Sequence, residues 1–348
     1  MFIMHSAYKE YSDKGLTGLA NVGNTCYVNS CMQILSHTYE LNDFLNKGSY
    51  TKRLKRKPES LLLHEWDKLR KLMWSKNCTI APYGFIKAMQ KVAVLKNREL
   101  FSGYAQNDIH EYLLFIVDCF HEALSRPVTM TISGVASTET DKLAKSCYNM
   151  MKEMYNKEYS EILNIYFGIH VSVVTSKETG DKLSICPEPF SCLSLSIPGD
   201  IRNPTIFDCL DLYCKKEELS GKNQYETNDG ARVDAEKGIV FWSLPNVLIV
   251  DLKRWMPVNG RKNNILVRTP YDNIDLSKYV KGYDANNSVY ELFGVCNHSG
   301  GALGGHYVAC VKNANRKWYE FNDTMVREIR QEHVISSNSY CLFYRKKK

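Results

Sequence analysis

The 348-residue sequence lacks the two kinds of segment that would place it in or across a membrane. No apolar run approaches the roughly 18 residues that a membrane-spanning helix requires. The first ten residues, MFIMHSAYKE, contain no positively charged region followed by an apolar core, which is how a secretory signal peptide begins. We therefore expect an intracellular protein, cytoplasmic or nuclear, that is not secreted and has no membrane partner.

The sequence also lacks the cysteine spacing of a zinc ribbon. Its twelve cysteines include no C-x-x-C pair, and four-sulfur zinc sites are usually built from two such pairs. Without an export signal the cysteines are expected to be reduced. Most of them stand among apolar residues, as Cys119 does in LLFIVDCF, and we interpret them as small hydrophobic side chains of the core.

An excess of charge is confined mainly to two short clusters. The formal net charge is +7, and basic residues concentrate at positions 52–57 and 345–348. Such clusters can bind nucleic acid through its phosphates. No aromatic interleaving and no nucleic-acid motif accompanies them. We therefore favour a solvated loop and a frayed chain end over a nucleic-acid partner.

The rest of the chain is globular in composition, with 44% hydrophobic and 24% charged residues, and its first half has helical periodicity. Apolar residues recur at helical spacing and predict helices over residues 27–44, 62–74, 109–124 and 140–163. In the third of these, one apolar stripe runs from Ile109 to Leu124. Asp108 is placed to cap that helix, and Glu111 three residues later would complete a capping box.

After Asn164 the pattern changes to short β-type runs separated by turn residues. These runs include CLSLSIP, VLIVDLKRW and HYVACVK. Helices followed by strands indicate an α+β fold in which a helical lobe packs against a mainly antiparallel lobe. The cleft between two such lobes is the usual position of a functional site.

The first candidate site residue is Cys26, within GLANVGNTCYVNS (residues 18–30). A small, polar, turn-forming stretch leads directly into a predicted helix that begins near this cysteine. A thiol at a helix N-terminus is close to the positive end of the helix dipole, which favours the thiolate. On this local evidence Cys26 is equally well a nucleophile or a buried structural cysteine.

The second candidate is His306, in HSGGALGGHYVACVKNANRKWYEFND (residues 298–323). A predicted hairpin would bring the polar pair Asn322 and Asp323 beside its imidazole, and a catalytic imidazole needs such an orienting group. The alternative is an ordinary surface histidine in a glycine-rich turn. A nucleophile early in the chain with a base and orienting group late is the order found in Cys-His-Asn peptidases.

These segments together resemble the ubiquitin-specific proteases, a family of papain-like deubiquitinating cysteine peptidases. GLANVGNTCYVNSCMQ is similar to the family's cysteine box, and GGHYVACVKNANRKWYEFND is similar to its histidine box. The other matching segments, in order between these two, are AQNDIHEYLLFIVD, EPFSCLSLSIP and SLPNVLIVDLKRW. The resemblance extends over residues 15–344. It implies a helical thumb (1–163), β fingers (164–240) and an antiparallel β palm (241–348).

The resemblance also implies roles for individual residues. Cys26 corresponds to the nucleophile, and Asn21 to the side-chain amide that stabilises the oxyanion. His306 corresponds to the base, Asn322 to the third member of the triad, and Asp323 to an acidic residue that assists.

Further residues correspond to the site for the ubiquitin tail. In the thumb they are Gln106, Asp108 and Glu111, of which Asp108 would hold an arginine of the tail through its carboxylate. The palm contributes His298, Gly305 and Tyr307. From the residues alone, Asp108 and Glu111 are better interpreted as capping and solubilising a helix.

One departure concerns zinc. Many relatives carry two cysteine pairs in the fingers, and the corresponding positions here are Lys177, Gly180, Thr227 and Gly230. We therefore predict fingers that fold without metal, and an enzyme that needs no cofactor.

The resemblance predicts a monomeric deubiquitinase that cleaves the bond after the C-terminal glycine of ubiquitin through a cysteine thioester. Its partners would be ubiquitin and ubiquitinated proteins. Two alternatives remain, namely a deconjugase for another ubiquitin-like modifier and a weakly active ubiquitin-binding module.

Overall fold

The structure of the protein is a computed structural model, and it describes residues 8–256, 260–301 and 304–347. Its helices in these ranges are α1 Cys26–Ser36, α2 Tyr39–Asn46, α3 Pro58–Ser75, α4 Tyr83–Leu95, α5 Ile109–Leu124, α6 Glu139–Glu158, α7 Glu161–Tyr166 and α8 Ile206–Tyr213. None of the helices in the described ranges is long and apolar enough to cross a membrane.

Two predicted helices are each divided in the structure. The predicted helix over residues 27–44 is interrupted at His37 and Thr38, because Thr38 takes an extended backbone conformation immediately before α2. The predicted helix over residues 140–163 is interrupted between α6 and α7. The helices predicted over 62–74 and 109–124 are confirmed, and α4 and α8 were not predicted.

Asp108 caps α5, as predicted. Its carboxylate accepts hydrogen bonds from the main-chain N–H groups of His110 and Glu111. The predicted capping box is wrong, because the Glu111 side chain is exposed and the cap has no reciprocal bond from it. The Glu111 carboxylate therefore remains open to solvent.

The strands of the described ranges are β1 Gly18–Leu19, β2 Thr79–Ile80, β3 Gly168–Ser176, β4 Lys182–Phe190, β5 Leu193–Ser196, β6 Glu217–Leu219, β7 Tyr225–Glu226, β8 Arg232–Val233, β9 Ala235–Ser243, β10 Val247–Lys253, β11 Ile274–Asp275, β12 Val289–Gly301, β13 Gly304–Lys312, β14 Trp318–Asn322, β15 Met325–Ile329 and β16 Ser339–Lys346. The main sheet has the order β15-β14-β13-β12-β16-β10-β5, and β11 pairs with β12. Its pairings are antiparallel except that of β5 with β10. A second sheet has the order β4-β3-β9-β6.

The helices cover one face of the main sheet, and this arrangement positions the site. Every residue of α1 is buried, and the helix packs against β12, β13 and β14. The opposite face of the sheet is covered by a second hydrophobic core that includes α8. A sheet buried on both faces favours continuous apolar strands, which explains why six consecutive residues of β10 are buried.

These layers form an α+β fold with a helical lobe against a mainly antiparallel sheet, as predicted. The boundaries at residues 163 and 240 remain predictions. In the structure α7 and β9 run continuously across these two positions.

The two basic clusters differ from each other in the structure. Residues 52–57 are mostly exposed, as a solvated loop would be. The frayed basic end predicted at residues 345–348 is wrong for Arg345, which is 5% exposed within β16. Its guanidinium forms an ion pair with Glu40 at 2.9 Å, donates to the His37 carbonyl and lies over the Tyr39 ring. A buried cation is tolerated at the end of this apolar strand because its charge is paired and its N–H groups have hydrogen-bond partners.

Candidate active site

Cys26 is the first residue of α1 and is 3% exposed. The loop before it is closed by Asn21, whose side-chain oxygen accepts hydrogen bonds from the N–H groups of Gly23 at 3.2 Å and Thr25 at 3.0 Å. Asn24 has a φ of 52°, a conformation that asparagine tolerates better than most residues. The loop therefore turns sharply into the helix and fixes the position of the thiol at the start of α1.

Burial raises the pKa of the Cys26 thiol, and the nearby Asp323 carboxylate raises it further. Main-chain N–H groups of Tyr307 and Tyr27 act in the opposite direction. The sequence alone favoured a thiolate here because of the helix dipole. The structure favours a neutral resting thiol, because the loss of hydration disfavours the charge more than the amides stabilise it.

His306 lies on β13 and its orienting partner lies at the end of β14. The His306 Nε2 atom is 2.7 Å from the Asn322 side-chain oxygen. The two strands are paired from Ala309 with Phe321 onward, and beyond that point the two side chains meet across the hairpin. Because an amide oxygen only accepts, this contact places a hydrogen on Nε2 and leaves Nδ1 able to take a proton.

Cys26 is linked to this hairpin through the residue after the histidine. The main-chain N–H of Tyr307 lies close enough to Cys26 to lower the pKa of its thiol, and β13 packs against α1. The structure thus brings together the predicted nucleophile, base and orienting group from positions nearly 300 residues apart in sequence.

Asp323 joins the hairpin to the cysteine loop rather than to the imidazole. Its carboxylate accepts hydrogen bonds from the side-chain amides of Asn21 at 3.1 Å and Asn29 at 2.8 Å. Its main-chain carbonyl accepts a further bond from the N–H of Leu19 at 2.9 Å. Asn29 was not predicted as a functional residue. The one signal for it in the sequence is that a polar residue stands within an apolar helix. These bonds tie the Asn21 amide, in the loop that leads into Cys26, to the end of the hairpin that carries His306.

The predicted tail residues of the thumb are placed differently from one another. Asp108 uses one oxygen to cap α5, and its other oxygen accepts a hydrogen bond from the Tyr340 hydroxyl at 2.5 Å. In the structure Asp108 therefore has a structural role, since its two oxygens cap α5 and bind Tyr340. Tyr340 was not predicted, and no local sequence signal indicates it. Glu111 is exposed, with no ion pair among the described residues.

The predicted tail residues of the palm form a wall that is mostly buried. His298 and Tyr307 are 4% and 7% exposed, and their rings lie 4.5 Å apart. Burial, followed by the Lys262 charge, lowers the pKa of His298 to about 4, so its ring is neutral at pH 7. A Cβ atom added to Gly305 would collide with the His298 ring, so only glycine fits there. The wall therefore offers main-chain groups rather than these two side chains.

Residues 17–344 match the family ubiquitin carboxyl-terminal hydrolase. The chain belongs to this family. Among its relatives, ubiquitin carboxyl-terminal hydrolase 2 of Gallus gallus is 32% identical over 343 residues, which cover 95% of this chain and 93% of the relative. Ubiquitin carboxyl-terminal hydrolase Usp2 of Drosophila melanogaster is 31% identical over 344 residues, which cover 97% of this chain and 36% of the relative.

Solved structures of family members have the same fold. The SAGA Ubp8/Sgf11/Sus1/Sgf73 DUB module bound to ubiquitin aldehyde contains a chain that is 25% identical, with a TM-score of 0.73. The match covers 98% of this chain and 71% of that one. The chain spans only part of the length of some relatives. It spans 36% of the Drosophila melanogaster relative and 55% of ubiquitin carboxyl-terminal hydrolase 2 of Bos taurus.

The fingers of this family member carry no thiols at the positions considered for zinc. Gly180 and Gly230 lie in turns with positive φ, and Lys177 forms an ion pair with Glu218. Among the residues that the structure describes, no group of three histidine, cysteine or acidic side chains has a metal-binding arrangement. Metal-free fingers remain a prediction.

Proposed function

We propose that the chain is a deubiquitinase that hydrolyses the peptide or isopeptide bond after the C-terminal glycine of ubiquitin. One observation carries the proposal. The main-chain N–H of Tyr307 lies close enough to Cys26 to lower the pKa of its thiol, and the adjacent His306 is oriented by Asn322 at 2.7 Å. The names of the relatives, all ubiquitin carboxyl-terminal hydrolases, support ubiquitin as the substrate.

In the first step Cys26 loses its proton to His306 as the sulfur attacks the glycine carbonyl carbon. A neutral resting thiol makes this transfer part of the attack rather than a step that precedes it. The carbonyl oxygen becomes an oxyanion that accepts hydrogen bonds from the Asn21 amide and from main-chain N–H groups. The C–N bond then breaks, and the amine of the leaving group takes the proton from His306.

In the second step water replaces the amine. His306 takes a proton from the water, the resulting hydroxide attacks the thioester carbon, and the C–S bond breaks. The sulfur leaves as thiolate and recovers the proton from His306. The products are the starting thiol and the ubiquitin carboxylic acid, which ionises to the carboxylate by releasing a proton to solvent, so atoms and charges balance without a cofactor.

The surroundings of the site agree with a folded protein as substrate. The exposed Glu111 carboxylate at the start of α5 is available to a cation of the tail. The sheet β4-β3-β9-β6 extends from the palm and offers a surface for the globular part of ubiquitin. All twelve cysteines are free, as in a reducing compartment, which supports our proposal of an intracellular protein. We also propose that it is monomeric.

The test is covalent capture. The protein is incubated with ubiquitin and with other ubiquitin-like modifiers that each carry a C-terminal electrophile, and the labelled residue is located by mass spectrometry. We expect ubiquitin to label Cys26, with no labelling in Cys26→Ser and full labelling in Cys78→Ser, whose thiol is exposed.

Other outcomes would identify the alternatives. Faster labelling by a different modifier would identify a deconjugase for that modifier. Binding of ubiquitin without labelling or turnover would identify a binding module. Labelling at a cysteine other than Cys26 would refute the assigned nucleophile.

A further inference from the structure

The edge of β13 next to the catalytic histidine has no strand beside it. Pairing with β14 begins only at Ala309, whereas β12 covers the other edge through the pairs His298 with Tyr307 and Gly300 with Gly305. Within the described residues, the outer edge before Ala309 therefore faces the thumb. Such an open edge presents main-chain N–H and C=O groups to any extended peptide that enters the cleft.

One side chain from the thumb already occupies this edge. The N–H of Gly305 donates to the Gln106 side-chain oxygen at 2.8 Å. The Gln106 side-chain nitrogen donates in turn to the Gly305 carbonyl at 3.0 Å. The carboxamide thus makes the pair of bonds that a peptide group of a neighbouring strand would make.

The next position along the same edge is at the nucleophile. Main-chain groups of alternate residues in a strand face the same side, so Gly305 and Tyr307 present theirs in one row. The N–H of Tyr307 lies close enough to Cys26 to lower the pKa of its thiol, on the strand that packs against α1. A peptide that runs along this row toward Cys26 must pass the position that Gln106 occupies.

We infer that Gln106 is a latch that imitates a peptide and is displaced by the substrate tail. This inference rests on the proposed function, which supplies an extended glycine-rich tail. Gly305 has a single N–H, and that hydrogen cannot serve both Gln106 and the tail with good geometry. The tail therefore exchanges its own main-chain bonds for those of Gln106. The glutamine that the resemblance assigns as a tail partner is, in the free protein, a competitor of the tail.

The first test is steady-state kinetics on a ubiquitin substrate with a fluorogenic C-terminal amide. In Gln106→Ala the tail no longer breaks two exposed hydrogen bonds, so we expect KM to fall about fivefold with kcat unchanged. Gln106→Met keeps the length of the side chain without its hydrogen bonds and is expected to behave in the same way. Gln90→Ala is the matched control, because Gln90 bonds to the carbonyl of Gly103 within the thumb at 3.2 Å.

Two kinetic results would overturn the latch. A higher KM at unchanged kcat would make Gln106 a direct partner of the bound tail. A lower kcat at unchanged KM would make it a residue that positions His306. Either result leaves the proposed function standing, whereas an absence of turnover in the unaltered protein would count against the function itself.

A second test does not need activity. Hydrogen exchange of the Gly305 amide, measured by NMR, is expected to be slow in the free protein and at least severalfold faster in Gln106→Ala. In the covalent ubiquitin adduct we expect the Gly305 amide to stay protected while the Gln106 side-chain amide exchanges freely. Equal exchange of Gly305 in the unaltered and Ala proteins would refute the latch whatever the substrate.

Discussion

Replacing Asp323 by Asn isolates what the carboxylate does for the oxyanion amide. Asp323 has a φ of 50°, which asparagine adopts as readily as aspartate, so the backbone is preserved. The carboxylate accepts from two amides at once, Asn29 at 2.8 Å and Asn21 at 3.1 Å. The new side chain has only one oxygen, so it satisfies only one of them well.

Burial of Asn29 determines which of the two hydrogen bonds to residue 323 is lost. Asn29 is 2% exposed, and leaving its donor without a partner costs more than leaving the exposed Asn21 to water. The oxygen of Asp323→Asn is therefore expected to face Asn29, which places an NH2 group against the NH2 of Asn21. Asn21 keeps its two bonds to the loop, so only part of a charge-assisted bond is lost in the transition state, about 1.4 kcal/mol or tenfold in kcat.

The same substitution is expected to make the Cys26 thiol more acidic, although it lowers kcat. The Asp323 carboxylate helps to raise the pKa of Cys26, so its removal lowers that pKa. We expect the alkylation of Cys26 by iodoacetamide, followed by mass spectrometry from pH 6 to 10, to reach half its maximum at a lower pH in Asp323→Asn. In the unaltered protein burial keeps the pKa of Cys26 above the ordinary value of a cysteine, so we expect its midpoint at the higher pH.

The assay is hydrolysis of the fluorogenic ubiquitin substrate at saturating concentration, with Asp275→Asn as control because Asp275 caps Ser277 outside the site. A tenfold loss of kcat with a more acidic thiol separates positioning of the oxyanion amide from activation of the nucleophile. A change in kcat of less than twofold, or a loss confined to KM, would refute this account of Asp323.

Three further predictions test other parts of the structure. Asn21→Ala is expected to lower kcat by roughly 10² to 10³ with little change in ubiquitin binding, and a twofold loss would mean that main-chain amides suffice. Arg345→Met leaves Glu40 without its cation and is expected to cost about 3 kcal/mol, roughly 5 °C in the melting temperature measured by calorimetry. Lys346→Met, which loses only a pair with an exposed aspartate, is expected to change stability by less than about 0.5 kcal/mol, and equal losses would contradict the buried role of Arg345. A zinc chelator is expected to leave activity unaltered, and inactivation that zinc reverses would show a metal in the fingers.

Local patterns predicted much of this architecture. The apolar stripe from Ile109 to Leu124 gave the bounds of α5, because every residue of that stripe is buried and the capping side chain of Asp108 lies two residues before the N–H that it binds. The alternation of strands and turns after Asn164 likewise predicted the main sheet. The division between α1 and α2 was missed. It lies at Thr38, whose backbone is extended, and the carbonyl of the adjacent His37 is bound by Arg345 from the far end of the sequence.

The functional residues follow the same rule. Motif resemblance indicated Cys26, His306 and Asn322, but it could not indicate how the remaining polar groups are used. Asp108 is assigned to a tail by analogy, and in the structure Tyr340, 232 residues away, binds its free oxygen. A contact of this kind has no local signature, because it depends on where a second lobe comes to rest.

The two lobes of this protein are aligned by a few such polar contacts. The apolar core between helices and sheet supplies most of the stability, but burial is non-directional and tolerates small shifts of one layer over another. Hydrogen bonds do not tolerate such shifts, because they weaken steeply with distance and angle. Three contacts join thumb to palm around the cleft, namely Asn21 with Asp323, Gln106 with Gly305 and Tyr340 with Asp108.

If one of these contacts is a latch that opens for substrate, the other two must keep the lobes in register while it does so. Loss of the Tyr340 contact should therefore impair Gln106→Ala more than it impairs the unaltered protein, and a double-mutant cycle in kcat with Tyr340→Phe measures this coupling directly.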